Sequence, residues 1–367
     1  MKALLGDLVN IKTGKLDANQ ADENGKYPFF TCSKEISKIN SYSYDCECVL
    51  IAGNGDLNVK YYNGKFEAYQ RTYILTSTDV NTLSNKYLYW FMNRYIVQLR
   101  NQSIGGVIKY IKLGDLTNIT LNLPTLDVQR RIVGIFESIE RLIGTKVFIL
   151  KGLDDLIKSR FVEMFGNPII NDKKYPVFKL KDISQKIGSG FTPRGGNSNY
   201  IDEGIAFIRS MNIYNNTFKK DNLVYIDEFL AKQLSQVEVF SNDLLLNITG
   251  ASVARCCTVP DHILPARVNQ HVCIIRQCKI SNVFLEYCLT NESYQEYLLL
   301  LSNKNGATRE ALTKIQVENL EVISPPLVEI SRFIKIVDQI NKLKVDVQKS
   351  IDETQLLMDS LMQEYFG

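Results

Sequence analysis

The residues FVEMFG at 161–166 and MQEYFG at 362–367 close two stretches of this chain in the same way. Displacing the sequence by 201 positions lays Gly105 on Gly306, Asn118 on Asn319, Pro124 on Pro325, Arg131 on Arg332, Ile135 on Ile336 and Ile139 on Ile340. The same shift aligns Leu142 with Leu343, Glu163 with Glu364 and Phe165-Gly166 with Phe366-Gly367, without a gap. The chain is a tandem duplication, and two copies of one sequence pattern must fold as two versions of one unit. The openings also match, LLGDLVNIKTG against KLKDISQKIGSG, but there Asp7 meets Asp182 at an offset of 175. The second half has therefore gained 26 residues between its start and its finish. Surface loops tolerate insertion and packed helices do not, so common ends with unequal interiors read as one scaffold carrying two different surfaces.

From Leu126 to Phe165 the apolar residues Ile132, Ile135, Ile139, Leu142, Ile149, Leu153 and Leu156 recur at spacings of three and four, with a polar interruption at Lys146. This spacing predicts a heptad seam on a helix of about 40 residues, roughly 60 Å long. Pro124 precedes it and Gly166-Asn167-Pro168 follows, the usual punctuation of a helix. The second copy runs Phe333, Ile336, Ile340, Leu343, Val347, Ile351, Thr354, Leu357 and Leu361. Either stripe is costly to expose, so the two helices are expected to bury their seams against each other. A large domain lies between them in sequence, which favours antiparallel pairing and places the remaining domains at opposite ends of a rod. The interiors hold short apolar runs such as CVLIAG, RTYILT, DLLLNITG and HVCIIRQ between Gly, Asn and Asp turns. Each adds one helical stretch, KYLYWFMNRYIVQLR in the first and FLEYCLTNESYQEYLLLL in the second. The expected fold class is α+β: two mixed α/β domains of short twisted strands joined by two long antiparallel coiled-coil helices. The domains are 1–125 and 167–326, and the helices occupy 126–166 and 327–367.

The 367 residues carry a net charge of only +3, with 45% hydrophobic and 23% charged residues, which excludes a disordered or polyelectrolyte chain. No apolar run approaches the roughly 20 residues of a membrane helix and no signal peptide opens the chain, so a cytoplasmic location is expected. The eight cysteines are not spaced as a disulfide framework and are read as reduced thiols. Cys256, Cys257, His262, His271, Cys273 and Cys278 offer ligand types for zinc but no paired C-x2-C knuckles, so small buried thiols are the preferred reading. No nucleophile elbow, P-loop, H-E-x-x-H or dinucleotide fingerprint occurs, and there are only two histidines. No catalytic residue, cofactor site or metal site is therefore assigned to this chain.

A binding surface has more support. AGNGDLNVKYYNGKFEAYQRTY interleaves Lys60, Tyr62, Lys65, Gln70 and Arg71 with turn glycines, and SIGGVIKY adds Lys109. The second half offers Thr192 and Arg194 in GSGFTPRGGNSNY, Arg209 and Asn212 in FIRSMNIY, Arg255 in ITGASVARC, and Arg267, Asn269 and Gln270 in ARVNQHV. Cations seek phosphates, amide side chains match adenine edges, and glycine turns can enter a groove. Each cluster is also what a solvated turn contains. Gln70 and Gln270 stand out because they lie near each other's position in the two halves.

With these residues in view, the chain resembles the specificity (S) subunit of type I restriction-modification enzymes. The paired openings LGDLVNIKTG and LKDISQKIGSGFTPRGG carry the likeness. So do GGVIKYIKLGDLTNITLNLPTLDVQRRIVGIFESIERLI and NGATREALTKIQVENLEVISPPLVEISRFIKIVDQINKL, each leading into a long helix. The resemblance covers the whole chain. It implies two target-recognition domains, each reading one half of a split double-stranded DNA sequence, with the helices setting the unread spacer. It also implies docking of two methyltransferase (M) subunits and of restriction (R) subunits. S-adenosylmethionine, ATP and Mg would belong to those partners and catalysis would lie outside this chain. One departure concerns the junctions: Gln129 in LDVQRRI aligns with Ile330 in LVEISRFI, so that glutamine's contacts are expected in one half only. The chain also opens almost directly on its first domain. Competing readings are the specificity component of a type IIB-like enzyme and a coiled-coil adaptor that does not bind DNA. A third is a zinc enzyme built on the histidine and cysteine cluster.

Overall fold

The computed structural model describes residues 2–104, 109–192, 195–277, 279–303 and 310–367. Two helices of 40 residues dominate, Leu126–Phe165 and Leu327–Phe366, displaced in sequence by the 201 positions of the repeat. Gly166 ends the first at a φ of +73°, a conformation in which a Cβ is penalised, and its N–H donates to Val162 O at 2.8 Å. The smaller elements obey the same two offsets. Lys2–Leu4 pairs antiparallel with Thr120–Asn122, and Val177–Lys179 pairs antiparallel with Glu321–Ile323. Leu5 N donates to Ile119 O at 2.8 Å, and Leu180 N donates to Leu320 O at 2.9 Å. Each repeat is thus closed by tying its opening to the segment before its long helix.

The chain divides into two compact units, Met1–Phe148 with Val347–Gly367, and Ile149–Asp346. Each unit takes half of each long helix, so the division falls within the helices rather than at their ends. In the first unit Phe136 stacks on Trp90 at 4.8 Å and on Phe366 at 5.8 Å, which sets the start of one helix against the end of the other. In the second, Phe333 meets Phe161 and Phe165 edge-on at 5.6 and 5.5 Å, the end of one against the start of the other. Within each unit the pairing is antiparallel, as the sequence led us to expect.

The buried row does not follow the expected seam throughout. Ile132, Ile139, Phe333, Ile340 and Thr354 are buried, but Leu142, Ile149, Leu156, Leu343 and Leu357 are exposed. The row runs instead through Phe136, Ile139, Ile143, Lys146, Leu150, Leu153, Ile157 and Phe161, all buried or half-buried. These helices carry apolar residues on more than one face, so counting apolar positions selects a neighbouring row. Lys146 belongs to the true row: its ammonium donates to Ser350 O at 2.9 Å and to Thr354 Oγ1 at 2.7 Å. In the second unit Lys344 pairs with Asp154. Polar groups at such positions fix register at some cost in stability.

The first head is one sheet of six strands in the order Val9–Thr13, Thr72–Ser77, Tyr44–Ala52, Val59–Ala68, Tyr27–Phe30, Ser37–Ile39. Alternate residues of Tyr44–Ala52 serve two cores, Val49 and Ile51 facing the helix Asn85–Gln102 and Cys48 and Leu50 facing an inner cluster with Phe30 and Phe66. The second head splits the same plan into two four-stranded sheets. Both contain a parallel pair: Phe29 and Phe30 face Glu67 and Ala68, and Phe207 and Ile208 face Arg267 and Val268. The helical stretch expected over 284–301 is two helices, Asn282–Leu289 and Glu292–Asn303. The break is capped by Asn291, whose Oδ1 accepts from Ser293 N at 3.2 Å. The seven described cysteines are free thiols, and burial raises the pKa of Cys256 well above its usual value, which makes it unreactive. Among the described residues no group of three or more His, Cys, Asp or Glu side chains is placed to hold a metal ion. No described helix is long and apolar enough to cross a membrane.

Candidate nucleic-acid interface

Each head presents a three-residue turn immediately after the parallel strand pair. In the first it is Tyr69-Gln70-Arg71, between Val59–Ala68 and Thr72–Ser77; in the second it is Asn269-Gln270-His271, between Ala266–Val268 and Val272–Gln277. Tyr69 N donates to Phe30 O at 3.0 Å, and Asn269 N donates to Ile208 O at 3.1 Å, which are equivalent bonds. A glycine braces each turn from beneath. A Cβ on Gly14 would lie 2.1 Å from Ala68 O, and one on Gly190 would lie 1.8 Å from Val268 O, so no other residue fits either place. The two glutamines singled out in the sequence therefore sit at the same point of the fold, both exposed.

Their surroundings differ. Gln70 Nε2 donates to Asp17 Oδ1 at 2.8 Å, and Arg71 is exposed beside it. Thr13, Gly53, Gln70, Arg71, Tyr73 and Ile111 line a cavity of about 350 Å³. Lys109, also exposed, reaches this edge because its carbonyl accepts from Gly55 N at 2.8 Å and Ile111 N donates to Gly53 O at 3.0 Å. Lys60 is tied inward, its ammonium donating to Ser33 O at 2.6 Å and bonding to Asn58, and burial lowers its pKa. Tyr62 lies elsewhere, its ring 5.1 Å from Phe30 at the inner core, while Lys65 is exposed and sits 4.7 Å over the Tyr42 ring.

In the second head Gln270 Oε1 accepts from Thr192 N at 3.3 Å, and His271 Nδ1 bonds to Thr249 Oγ1. Arg209 donates to Asn222 O at 2.6 Å and lies 5.5 Å from the Tyr200 ring. Two amides are used internally. Asn212 is fully buried and donates to Lys219 O and Asp221 O at 3.0 and 3.3 Å, and Asn269 is buried with its Oδ1 accepting from His271 N at 3.1 Å. Arg267 is 8% exposed and donates to Ala231 O at 3.1 Å. Arg255 lies 4.6 Å from the Tyr214 ring, on whose face Lys219 also sits at 4.1 Å. Arg194 falls outside the described residues. Tyr214 and Lys219 are not among the residues singled out from sequence; the signal was a Lys-Lys pair within a stretch that has no counterpart in the first half.

The geometry thus supplies two equivalent exposed edges, each offering an amide side chain that can meet a base edge, with the cation Arg71 beside it in the first head. The family described as Type I restriction modification DNA specificity domain matches residues 2–151 and 172–354. Over 128 residues, 35% of this chain and 28% of the relative, the sequence is 45% identical to the Type I restriction enzyme EcoDI specificity subunit of Escherichia coli. The matches span 28% to 59% of the length of the curated relatives found. The crystal structure of the S subunit of a type-I restriction-modification system from M. genitalium superposes with a TM-score of 0.56 at 14% identity, covering 100% of this chain and 96% of that one. A chain from a study of complex assembly and conformational transition of the type I R-M system superposes at 0.60 with 16% identity, covering 100% and 97%. At these identities the likeness is one of fold. Because the family match spans most of both halves, the chain belongs to the type I restriction-modification DNA specificity family.

Proposed function

We propose that this chain is the sequence-reading subunit of a type I restriction-modification assembly, each head reading one half of a split duplex target. The observation that carries this reading is the glycine-braced glutamine turn presented twice, at equivalent points of the fold but in different chemical surroundings. Equivalent placement gives both heads one mode of approach to DNA, and different neighbours give each its own sequence. The long helices hold the heads at a fixed spacing and offer a surface to two methyltransferase subunits, with restriction subunits completing the assembly. S-adenosylmethionine, ATP and Mg belong to those partners, and this chain carries no catalytic step. The assembly acts in the cytoplasm, where its DNA lies. A net charge of +3 suits a reader whose partners share the holding of phosphates.

The test is a genome-wide map of methylated adenines with this gene intact and deleted. One split motif should disappear on deletion. An unchanged map, with the methyltransferase subunits expressed, would refute the reading.

A further inference from the structure

We infer that the segment 209–223 of the second head is an additional DNA-contacting element, placing a tyrosine flanked by two cations against the phosphate backbone beside the Gln270 turn. This rests on the reading just proposed and assigns a contact that the first head lacks. In the first head six residues, 31–36, join Tyr27–Phe30 to Ser37–Ile39; in the second, fifteen residues, 209–223, join the equivalent strands Ile205–Ile208 and Val224–Ile226. The added chain leaves the sheet at Ile208, whose carbonyl receives the Asn269 N–H, so it grows from the edge that bears Gln270. Asn247 Nδ2 donates to Ser210 O at 2.9 Å and fixes that exit.

Charge separates this insertion from residues 227–243 of the same head, which join Val224–Ile226 to Leu244–Asn247 where four residues, 40–43, suffice in the first head. Residues 209–223 carry Arg209, Lys219 and Lys220 against Asp221 alone, whereas 227–243 carry Asp227, Glu228, Glu238 and Asp243 against Lys232 alone. Glu238 and Asp243 are paired with Arg267 and Arg276, which leaves Asp227 and Glu228 against Lys232, so a polyanion is drawn to the first segment and not to the second.

The basic insertion is also rigid. Ile213–Tyr214 pairs with Thr217–Phe218, and the Asn215-Asn216 tip is held down on the scaffold. Asn216 Nδ2 donates to Thr290 Oγ1 at 3.0 Å and Glu286 Oε1 at 3.3 Å, and Asn215 Nδ2 donates to Gln295 Oε1 at 3.1 Å. Glu286 is itself 7% exposed and accepts from Thr258 N at 2.8 Å. Pinning the tip inward leaves the flank outward: Lys219 and Lys220 are exposed, and Lys219 and Arg255 share the Tyr214 ring. Two like charges gathered on one ring, neither in an ion pair among the described residues, form a preorganised anion site. On duplex DNA the anion at that place is a backbone phosphate.

Lys219→Glu tests this against Lys232→Glu, the same charge change at an exposed position of the acidic insertion. The probe is the set of duplexes that the wild-type chain, assembled with its methyltransferase subunits, enriches from a randomised duplex pool. Lys219→Glu should weaken binding to those duplexes at least about fivefold and lower the salt slope by about one. Lys232→Glu should stay within about twofold of wild type, because it touches no phosphate. Wild-type affinity in Lys219→Glu, or an equal loss in both variants, overturns the inference while leaving the parent reading in place. A wild-type assembly that enriches no duplex overturns the parent reading, and this contact with it.

Discussion

Where head meets long helix, the first unit buries Gln129 and the second buries Ile330 at the aligned position. Gln129 accepts from Ser84 N at 2.9 Å and donates to Thr82 O at 2.8 Å and Pro124 O at 3.0 Å, so the amide closes a loop whose carbonyls would otherwise be unpaired. Ile330 is 2% exposed in an apolar cluster with Phe333, where an amide would find no such partners. One backbone arrangement is thus held by hydrogen bonds in one copy and by apolar packing in the other. Duplication preserved the scaffold's geometry, while the side chains diverged wherever each copy stayed internally consistent.

The strongest way to break the comparison is to exchange residues 175–326 for the corresponding domain of a relative. If the heads read independently, the methylation map should show a new second half-site and an unaltered first one; a change in both would defeat independence. Next in size are the aromatic anchors. Phe136→Ala and Phe333→Ala should each cost about 3–5 kcal/mol, since both rings are fully buried. Hydrogen exchange should show protection lost in the substituted unit first, and equal loss in both units would mean that they unfold as one. The smallest effect sharpens the junction itself. Gln129→Ile should cost about 1–3 kcal/mol in denaturant unfolding, because it strands the buried groups that the amide now satisfies. A neutral result would show that water replaces the amide.

The sequence made the repeat legible because its two offsets are carried by helices and closing strands, which accept no insertions. Both long helices begin and end where the punctuation placed them, and Gln70 and Gln270 fall at equivalent turns. The seam was misread in mid-helix because Leu142, Ile149 and Leu156 are apolar without being buried, whereas Lys146, read as its polar interruption, does lie half-buried in the row. Burial on a helix that meets both a head and another helix depends on tertiary neighbours, which periodicity does not encode. Asn212 illustrates the same limit at the candidate interface. Its residue type suits base reading, but its amide is spent within its own loop, and only coordinates reveal that. Lys219 escaped notice for the opposite reason, since its value comes from Tyr214 and Arg255 brought to it by the fold.

The division of the chain into compact units bears on the order in which the protein is made. The second unit, Ile149–Asp346, is continuous in sequence, whereas the first needs Val347–Gly367, which are synthesised after the whole of the second. Phe366 supplies a ring to Tyr87, Phe91 and Phe136, so the first core stays open until Phe366 itself has been made. Domains ordinarily complete in the order of their synthesis. Here the unit begun first closes only after the second, and a chain cut short before Val347 would leave the ribosome with its second head built and its first exposed to proteases.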